Sequence, residues 1–283
     1  MQSLFFGLVA AVAWGLHDFC VRYVSQRTPI YAAILTVLVA GLCFQTIVMT
    51  AQGSFEPISP HAIFLSFLAG VFFTTASIGL YKAFSVGPVR LVAPIIASYP
   101  VLSVGWAAIS GNPVSLLQWL AVFTVIAGVS VVAAISNVTE NPEQKSKHKR
   151  TILWAVLSGV GFAATFAFGQ AATDIAPDMP VILVTRLAAI ATLLGIMLLC
   201  KLPLLLGRNQ LPLLGFMGLL DGLALASVLS VGGLPKAEYA SVAASTFGMI
   251  TILLTWAFLK ETMTRTQWSG VILVFAGIGY LAL

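Results

Sequence analysis

The sequence predicts an all-α integral membrane protein with ten transmembrane helices, arranged as two inverted five-helix repeats around a central cavity. Of its 283 residues, 59% are hydrophobic and 8% are charged, whereas roughly 25% of the residues in a soluble domain are charged. Residues 115–128 (SLLQWLAVFTVIAG) recur 149 positions later as residues 264–277 (TRTQWSGVILVFAG). Because each copy would hold an odd number of spans, the second must cross the bilayer in the opposite direction. Inverted repeats of this kind build one central site that opens to either side.

Apolar runs bounded by proline, glycine and charged residues define the predicted spans. The ten runs are residues 2–24, 30–51, 61–84, 88–109, 115–135, 151–173, 179–200, 210–232, 236–259 and 266–283. The polar stretch 136–150 is the predicted linker between a first repeat, residues 1–135, and a second repeat, residues 151–283. The first run lacks a basic leader and a cleavage site, so we expect a retained span and not a signal peptide.

The lysine and arginine residues predict the orientation in the membrane. Twelve of the 14 lie in the loops after the odd-numbered spans, namely Arg22, Arg27, Lys82, Arg90, Lys145, Lys147, Lys149, Arg150, Lys201, Arg208, Lys260 and Arg265. Basic loops face the cytoplasm, so the linker is expected on the cytoplasmic side and both termini on the periplasmic side. The bilayer thus explains the net charge of +5, and no nucleic-acid partner is predicted.

Short motifs in four of the spans carry a family resemblance. Gly87-Pro88 and Ala93-Pro94 belong to the fourth span, Lys260-Glu261-Thr262 closes the ninth, and Gln-Trp and Ala-Gly pairs recur in the fifth and tenth. This pattern resembles the EamA unit of the drug/metabolite transporter superfamily in both halves of the chain. The resemblance implies a secondary transporter that exports small metabolites across the bacterial inner membrane. Within the superfamily it is similar to the amino-acid exporters, including the aromatic-amino-acid branch.

One position departs from the EamA pattern. Many first-copy units end their fourth helix with an acidic residue, whereas this chain has Asn112 there. A role for an acidic residue in both halves is therefore not supported. Glu261 is expected to fix a helix end or the topology.

The first span carries a polar face. Trp14, His17, Asp18 and Arg22 follow one another at helical spacing and therefore lie on one side of a helix. A charged side chain at the bilayer centre costs about 2.5–3.5 kcal/mol on insertion scales, so this face should point into the protein and line the substrate path. Asp18 is also a candidate for proton coupling. The alternative is a local pairing of His17, Asp18 and Arg22 near the membrane surface.

The next spans carry similar stripes of hydrogen-bonding side chains. The stripe in the third span is Thr74, Ser77 and Tyr81, and the one in the fourth is Tyr99, Ser103 and Trp106. Such side chains could bind the ammonium or carboxylate of a substrate, and the strongest candidates are Ser77, Tyr81, Tyr99 and Trp106. Alternatively, the hydroxyls bond to neighbouring helices, as is common in membrane proteins.

Two prolines predict a bent or locally broken fourth helix. Pro94 and Pro100 each remove one backbone hydrogen bond from the helix, and broken helices near the midplane form the substrate sites of inverted-repeat carriers. Pro94 is therefore a candidate site residue. By the symmetry of the repeat, Ser245 of the ninth span should approach it. In the sixth span, the residues expected to add an aromatic wall opposite Trp14 are Phe162, Thr165, Phe168 and Gly169. The alternative for Phe168 is simple packing.

Two further ionisable residues lie inside predicted spans. Arg186 in the seventh span could neutralise a substrate carboxylate or extend to the membrane surface. Asp221, in the middle of the eighth span, is a second candidate for proton coupling, because burial disfavours an ionised carboxylate. The alternatives for Asp221 are a salt bridge to Arg186 and a polar kink beside Gly222.

The remaining sequence features narrow the function. The three histidines are scattered, no HExxH or GxSxG motif occurs, and the three cysteines form no CxxC, so neither an enzyme nor a metal or other cofactor is predicted. A sugar-phosphate or nucleotide-sugar carrier would need several basic residues in its spans. The EamA resemblance therefore implies a carrier of small metabolites, foremost amino acids, and ten spans would allow a monomer to function alone. A drug carrier and a phosphate-bearing substrate remain alternatives, and the driving force is either a proton gradient or the substrate gradient itself.

Overall fold

The described part of the chain forms a bundle of helices. The computed structural model describes residues 2–53, 55–109, 113–136, 142–204, 206–229 and 243–281. Its α-helices are α1 (Gln2–Val24), α2 (Ile30–Gln52), α3 (Pro60–Val86), α4 (Val89–Ala97), α5 (Tyr99–Ile109), α6 (Leu116–Ser136), α7 (Pro142–Thr173), α8 (Asp178–Leu199), α9 (Leu211–Leu229), α10 (Phe247–Phe258) and α11 (Arg265–Leu281). A short 3₁₀ turn, Arg208–Gln210, precedes α9. The predicted all-α class is confirmed for these residues.

The helix lengths agree with a multi-span membrane protein. In the described ranges, seven helices are long and apolar enough to cross a bilayer, namely α1, α2, α3, α6, α7, α8 and α9. The fourth and ninth predicted spans contain shorter apolar helical segments, Val89–Leu102 and Ala243–Phe258. The tenth contains α11, which has 17 residues. The count of ten spans stays a prediction.

The fourth predicted span is broken, as its prolines indicated. Helix α4 ends at Ala97 and α5 begins at Tyr99. Ser98 lies between them with a ψ of 5°, and its hydroxyl donates to the carbonyl of Ile95 at 2.7 Å. The second repeat has an equivalent break before α10, where the Thr246 hydroxyl donates to the carbonyl of Ala243 at 2.6 Å. Such back-bonding hydroxyls compete with the helical hydrogen bonds, so each repeat contains one interrupted helix.

Helix α7 starts earlier than the sequence predicted. It begins at Pro142, whereas the predicted span began at residue 151. The basic second half of the predicted linker is therefore helical and continuous with α7. Residues 137–141, like Asn112, lie outside the described residues.

The last helices of the two repeats pack against each other in opposite directions. A Cβ atom on Gly128 of α6 would come 2.7 Å from the carbonyl oxygen of Gly270 in α11. A Cβ atom on Gly277 of α11 would come 2.9 Å from the carbonyl oxygen of Ala121 in α6. The order of these contacts is antiparallel. Small residues allow such close approach of helix backbones in membranes, and an antiparallel pair of equivalent helices is what an inverted repeat requires.

The other helix contacts follow the same symmetry. The α1–α9 contact corresponds to α7–α3, the α2–α9 contact to α8–α3, and the α1–α10 contact to α7–α5. Among the described helices, α2–α8 and α6–α11 are pairs in which a helix contacts its own repeat equivalent. The described helices therefore fit the architecture of two inverted repeats.

Candidate functional site

A cavity lies between helices of both repeats. The space between its side chains, counted together with its open part, measures about 520 Å³. Seven of the lining side chains carry polar atoms: Trp14, His17, Asp18, Ser77, Tyr81, Tyr99 and Asp221. The others are apolar: Ile34, Val37, Leu38, Phe73, Leu80, Phe162, Phe166 and Phe247. The cavity is thus an aromatic and aliphatic space with a few polar groups, which is typical of small-molecule sites.

The polar face of α1 forms one wall of this cavity. Trp14, His17 and Asp18 all line it and are all buried. The Nδ1 atom of His17 lies 3.0 Å from the Oδ1 atom of Asp18. The Nε2 atom of His17 and the hydroxyl of Tyr81 are buried without a hydrogen-bond partner among the described residues. Both atoms belong to side chains that line the cavity.

Arg186 and Asp221 form a buried ion pair. Arg186 is fully buried, and its Nη1 atom donates to the Oδ2 atom of Asp221 at 2.5 Å. Its Nε atom donates to the Oε1 atom of Gln45 at 3.2 Å, and its guanidinium lies 5.1 Å from the ring centre of Phe73. The structure thus shows the salt bridge that was one of the interpretations of Asp221. Extension of Arg186 to the membrane surface is wrong, because the side chain has no exposed area.

The second oxygen of Asp221 ties the first repeat to the second. The indole Nε1 of Trp14 donates to the Oδ1 atom of Asp221 at 3.3 Å. Asp221 thereby connects a cavity-lining aromatic side chain to the buried guanidinium of Arg186. Arg186 itself does not line the cavity.

The aromatic wall opposite Trp14 contains one of the predicted rings, that of Phe162, but Phe166 lies where Phe168 was expected. Phe166 lies 5.7 Å from Trp14 and 5.1 Å from Tyr99 between ring centres. Phe168 instead stacks on Phe72 at 5.6 Å and lies outside the cavity lining. Two residues along a helix turn a side chain to nearly the opposite face, so Phe166 and Phe168 cannot share a wall. Phe162, four residues before Phe166, does share it.

The other candidate residues have different positions. Ser77, Tyr81 and Tyr99 line the cavity, whereas Pro94 and Ser245 are buried away from its lining. Trp106 and Ser103 belong to α5, but their side chains fall outside the described part of the structure. Thr74 donates to the carbonyl of Ala189 at 2.8 Å, so its hydroxyl bonds to a neighbouring helix.

A second cluster connects the repeats about one helical turn beyond Asp18. The Nε atom of Arg22 donates to the Oε1 atom of Glu261 at 2.9 Å, and the backbone N–H of Val89 donates to its Oε2 atom at 3.0 Å. Arg22 also donates through Nη1 to the carbonyls of Phe84 at 2.5 Å and of Gly87 at 3.0 Å. Glu261 therefore caps the N-terminus of α4 from the other repeat, where a carboxylate is favoured by the helix dipole. Arg22 takes no part in a His17–Asp18 pairing.

A comparison with models of protein families identifies the family of this chain. The model of the EamA-like transporter family matches the chain twice, over residues 1–134 and residues 149–283. The chain belongs to the EamA-like transporter family. It is therefore a multi-pass membrane transporter of small molecules and not an enzyme. No curated protein matches its sequence.

Solved structures share the fold of this EamA-like transporter. The alignment with one solved structure, titled only as the crystal structure of a protein, spans 99% of this chain and 98% of the other chain. Its TM-score is 0.72 and the sequence identity is 15%. A likeness at this identity concerns the fold alone.

The EamA motifs have a structural role in this chain. Gly87-Pro88 and Lys260-Glu261-Thr262 come from different repeats, and they meet in the Arg22–Glu261 cluster. The neighbouring Arg90 donates to the carbonyl of Thr262 at 3.0 Å. The role expected for Glu261, fixing a helix end, agrees with these bonds. Within the described residues, no group of three His, Cys, Asp or Glu side chains could hold a metal ion.

Proposed function

We propose that this EamA-like protein is a secondary transporter that exports small amphipathic metabolites, foremost amino acids, across the bacterial inner membrane. The observation that carries the proposal is the cavity lined by both repeats, in which Trp14 of the first repeat bonds to Asp221 of the second. A site shared in this way changes its access whenever one repeat moves against the other. The substrate would be small and partly apolar, because most of the lining is aromatic or aliphatic.

Alternating access is supported by the interruptions in the two fourth helices. The breaks at Ser98 and Thr246 lie beside the cavity-lining residues Tyr99 and Phe247. Short helical segments joined at a break can rotate with less loss of hydrogen bonds than one continuous helix. Each repeat therefore contains a helix break, where the helix can bend, next to the proposed substrate cavity.

A carrier of phosphate-bearing substrates is less well supported. Phosphate recognition usually employs arginine or lysine, and the described residues of the cavity lining include neither. Arg186 is occupied by Asp221 and Gln45.

The orientation and the driving force are part of the proposal. With the basic loops in the cytoplasm, the Arg22–Glu261 cluster lies at the cytoplasmic end and both termini are periplasmic. The lining and the cluster lie within a single chain, so a monomer would suffice. Proton coupling would act through Asp18 or Asp221. Asp18 is the better placed, because both oxygens of Asp221 are already bonded to Trp14 and Arg186.

Flux measurements in liposomes test the proposal. Purified protein should move labelled amino acids faster than protein-free liposomes, and Phe166→Ala should slow this movement. The comparison of matched and unmatched pH, with Asp18→Asn and Asp221→Asn beside the unaltered protein, identifies the driving force. Absence of flux for a broad metabolite panel, with and without a proton gradient, would remove the proposed function.

A further inference from the structure

We infer that the cavity recognises its substrate by a protonated amine, with Asp18 as the counter-ion, and prefers amines with an aromatic or aliphatic body to molecules that carry a carboxylate. The inference rests on the proposed export of small amphipathic metabolites, and within that class it ranks amines without a carboxylate above amino acids. It names the chemical group that the same cavity selects.

The first argument is the charge of the cavity. Its ionisable lining residues are His17, Asp18 and Asp221, together with the phenols of Tyr81 and Tyr99, and no lysine or arginine of the described residues lines it. Arg186, which does not line the cavity, neutralises Asp221 through their ion pair. Asp18 has His17 as its bonded partner and no arginine or lysine. In an apolar space a carboxylate without a fixed cation favours a positively charged ligand and opposes a second carboxylate.

The second argument is that Arg186 is poorly placed for a substrate carboxylate. Its side chain is fully buried, and two of its three nitrogens already donate to Asp221 and Gln45. Its Nη2 atom has no partner among the described residues, but Arg186 does not line the cavity. A substrate carboxylate would have to displace Asp221, which would leave that carboxylate buried and unpaired, a strongly unfavourable outcome.

The third argument is the set of hydrogen-bond acceptors. When the Nδ1–H of neutral His17 donates to Asp18, the Nε2 atom of His17 is an acceptor. This Nε2 atom and the hydroxyl of Tyr81 are the two buried polar atoms of the cavity residues that lack a partner in the described part of the chain. A primary ammonium group offers three donors. Asp18, His17 and Tyr81 would supply one acceptor for each of them.

The fourth argument is the aromatic surroundings. Trp14, Tyr99, Phe166 and Phe247 contact one another around the cavity, with ring centres 5.1–6.2 Å apart in the contacting pairs. Aromatic faces attract cations, most strongly where water is excluded. The chain already holds one cation in this way, because the Arg186 guanidinium lies between the Asp221 carboxylate and the Phe73 ring.

Three ligands with one common body test the inference. Phenethylamine carries the amine alone, phenylalanine carries both charges, and 3-phenylpropionate carries the carboxylate alone. Binding to the purified full-length protein is measured by calorimetry and by thermal stabilisation, with no flux involved. Phenethylamine should bind about tenfold or more tightly than phenylalanine, and more tightly still than 3-phenylpropionate, because it alone gains the charged hydrogen bonds without a buried carboxylate.

Variants of Asp18 show whether the preference depends on this carboxylate. Asp18→Asn should weaken phenethylamine binding about tenfold or more, whereas Asp18→Glu should retain most of it because the charge is kept. Asp174→Asn removes an exposed carboxylate in the turn after α7 and should bind like the unaltered protein. If Asp18→Asn unfolds, the ligand ranking and the Asp18→Glu variant still test whether the cavity prefers amines through Asp18.

Three results would overturn the inference: no binding of phenethylamine, equal or tighter binding of 3-phenylpropionate, or full amine binding by a folded Asp18→Asn protein. Amine binding without flux would instead count against the proposed function alone.

Discussion

Arg22 and Glu261 are 239 residues apart in the chain, yet their side chains form an ion pair with a separation of 2.9 Å. Both side chains are mostly buried, at 17% and 14% exposure. The pair joins the end of α1 in the first repeat to the loop after α10 in the second. Because Glu261 also accepts from the backbone N–H of Val89, this single carboxylate holds three elements together.

Glu261→Gln should loosen the start of α4. The variant keeps the shape of the side chain but loses its charge, which is worth about 1.5–3 kcal/mol in a charged hydrogen bond. Hydrogen exchange of peptides that contain residues 88–92 should therefore become about tenfold faster or more, since each 1.4 kcal/mol changes an equilibrium tenfold. Glu56→Gln, at an exposed loop position, is the control. Unchanged exchange in Glu261→Gln would show that the ion pair does not hold this helix end.

Removal of one partner of the Arg186–Asp221 pair should destabilise the protein strongly. A buried charge left without its partner costs about 3–5 kcal/mol, so both Asp221→Leu and Arg186→Met should lower the unfolding temperature in detergent. The double variant Arg186→Met/Asp221→Leu should recover part of the loss, because no unpaired charge remains. If the double variant is as unstable as the sum of the single variants, the two residues are not coupled.

Phe166 and Phe168 offer a matched test of which face of α7 binds substrate. Phe166→Ala removes a ring that contacts Trp14 and Tyr99 at the cavity. It should raise the KM for transport about tenfold, since an aromatic contact contributes about 0.5–1.5 kcal/mol beyond its buried area. Phe168→Ala removes a ring stacked on Phe72 and should change stability while leaving KM nearly unaltered. The reverse pattern would assign the substrate to the other face.

Two glycines of α11 test the close packing of the repeats. A methyl group at Gly277 would lie 2.9 Å from the carbonyl oxygen of Ala121, whereas one at Gly279 would have no neighbour within 4 Å. Gly277→Ala should therefore destabilise the protein by about 1–3 kcal/mol, as overpacking does. Gly279→Ala should be neutral or slightly stabilising, since alanine is the better helix former. Thermal unfolding of both variants separates the two cases, and equal effects would argue against the α6–α11 contact.

The sequence predicted the scaffold better than the site. Hydropathy located the seven helices that are long enough to cross a bilayer, and Pro94 with Pro100 predicted the broken fourth helix, because these signals are local. The face of α7 was predicted less well. Periodicity groups residues on one side of a helix but does not say which side meets the cavity, so Phe168 was chosen and Phe166 was missed.

The contacts across the repeats depended on information that is not local. Nothing in the sequence decides between a free Asp221 and one paired with Arg186, because the choice depends on how α8 and α9 pack. The apolar lining residues Val37 and Leu38 gave no signal either, since apolar residues are common in every span. The contact between Glu261 and Val89 could not be predicted either, because it depends on how the two repeats pack.

The symmetry of the scaffold does not extend to the Arg22–Glu261 pair. At the 149-residue offset of the repeat, Arg22 corresponds to Ala171 and Glu261 to Asn112, and neither replacement can form an ion pair. The two ends of the carrier are therefore chemically unequal, although the helices that form them are equivalent. In the proposed alternating cycle, the state closed at the Arg22 end would gain a bond that the opposite state lacks. The unloaded carrier would then face one compartment preferentially, and because the pair is mostly buried, salt would weaken that preference only slightly.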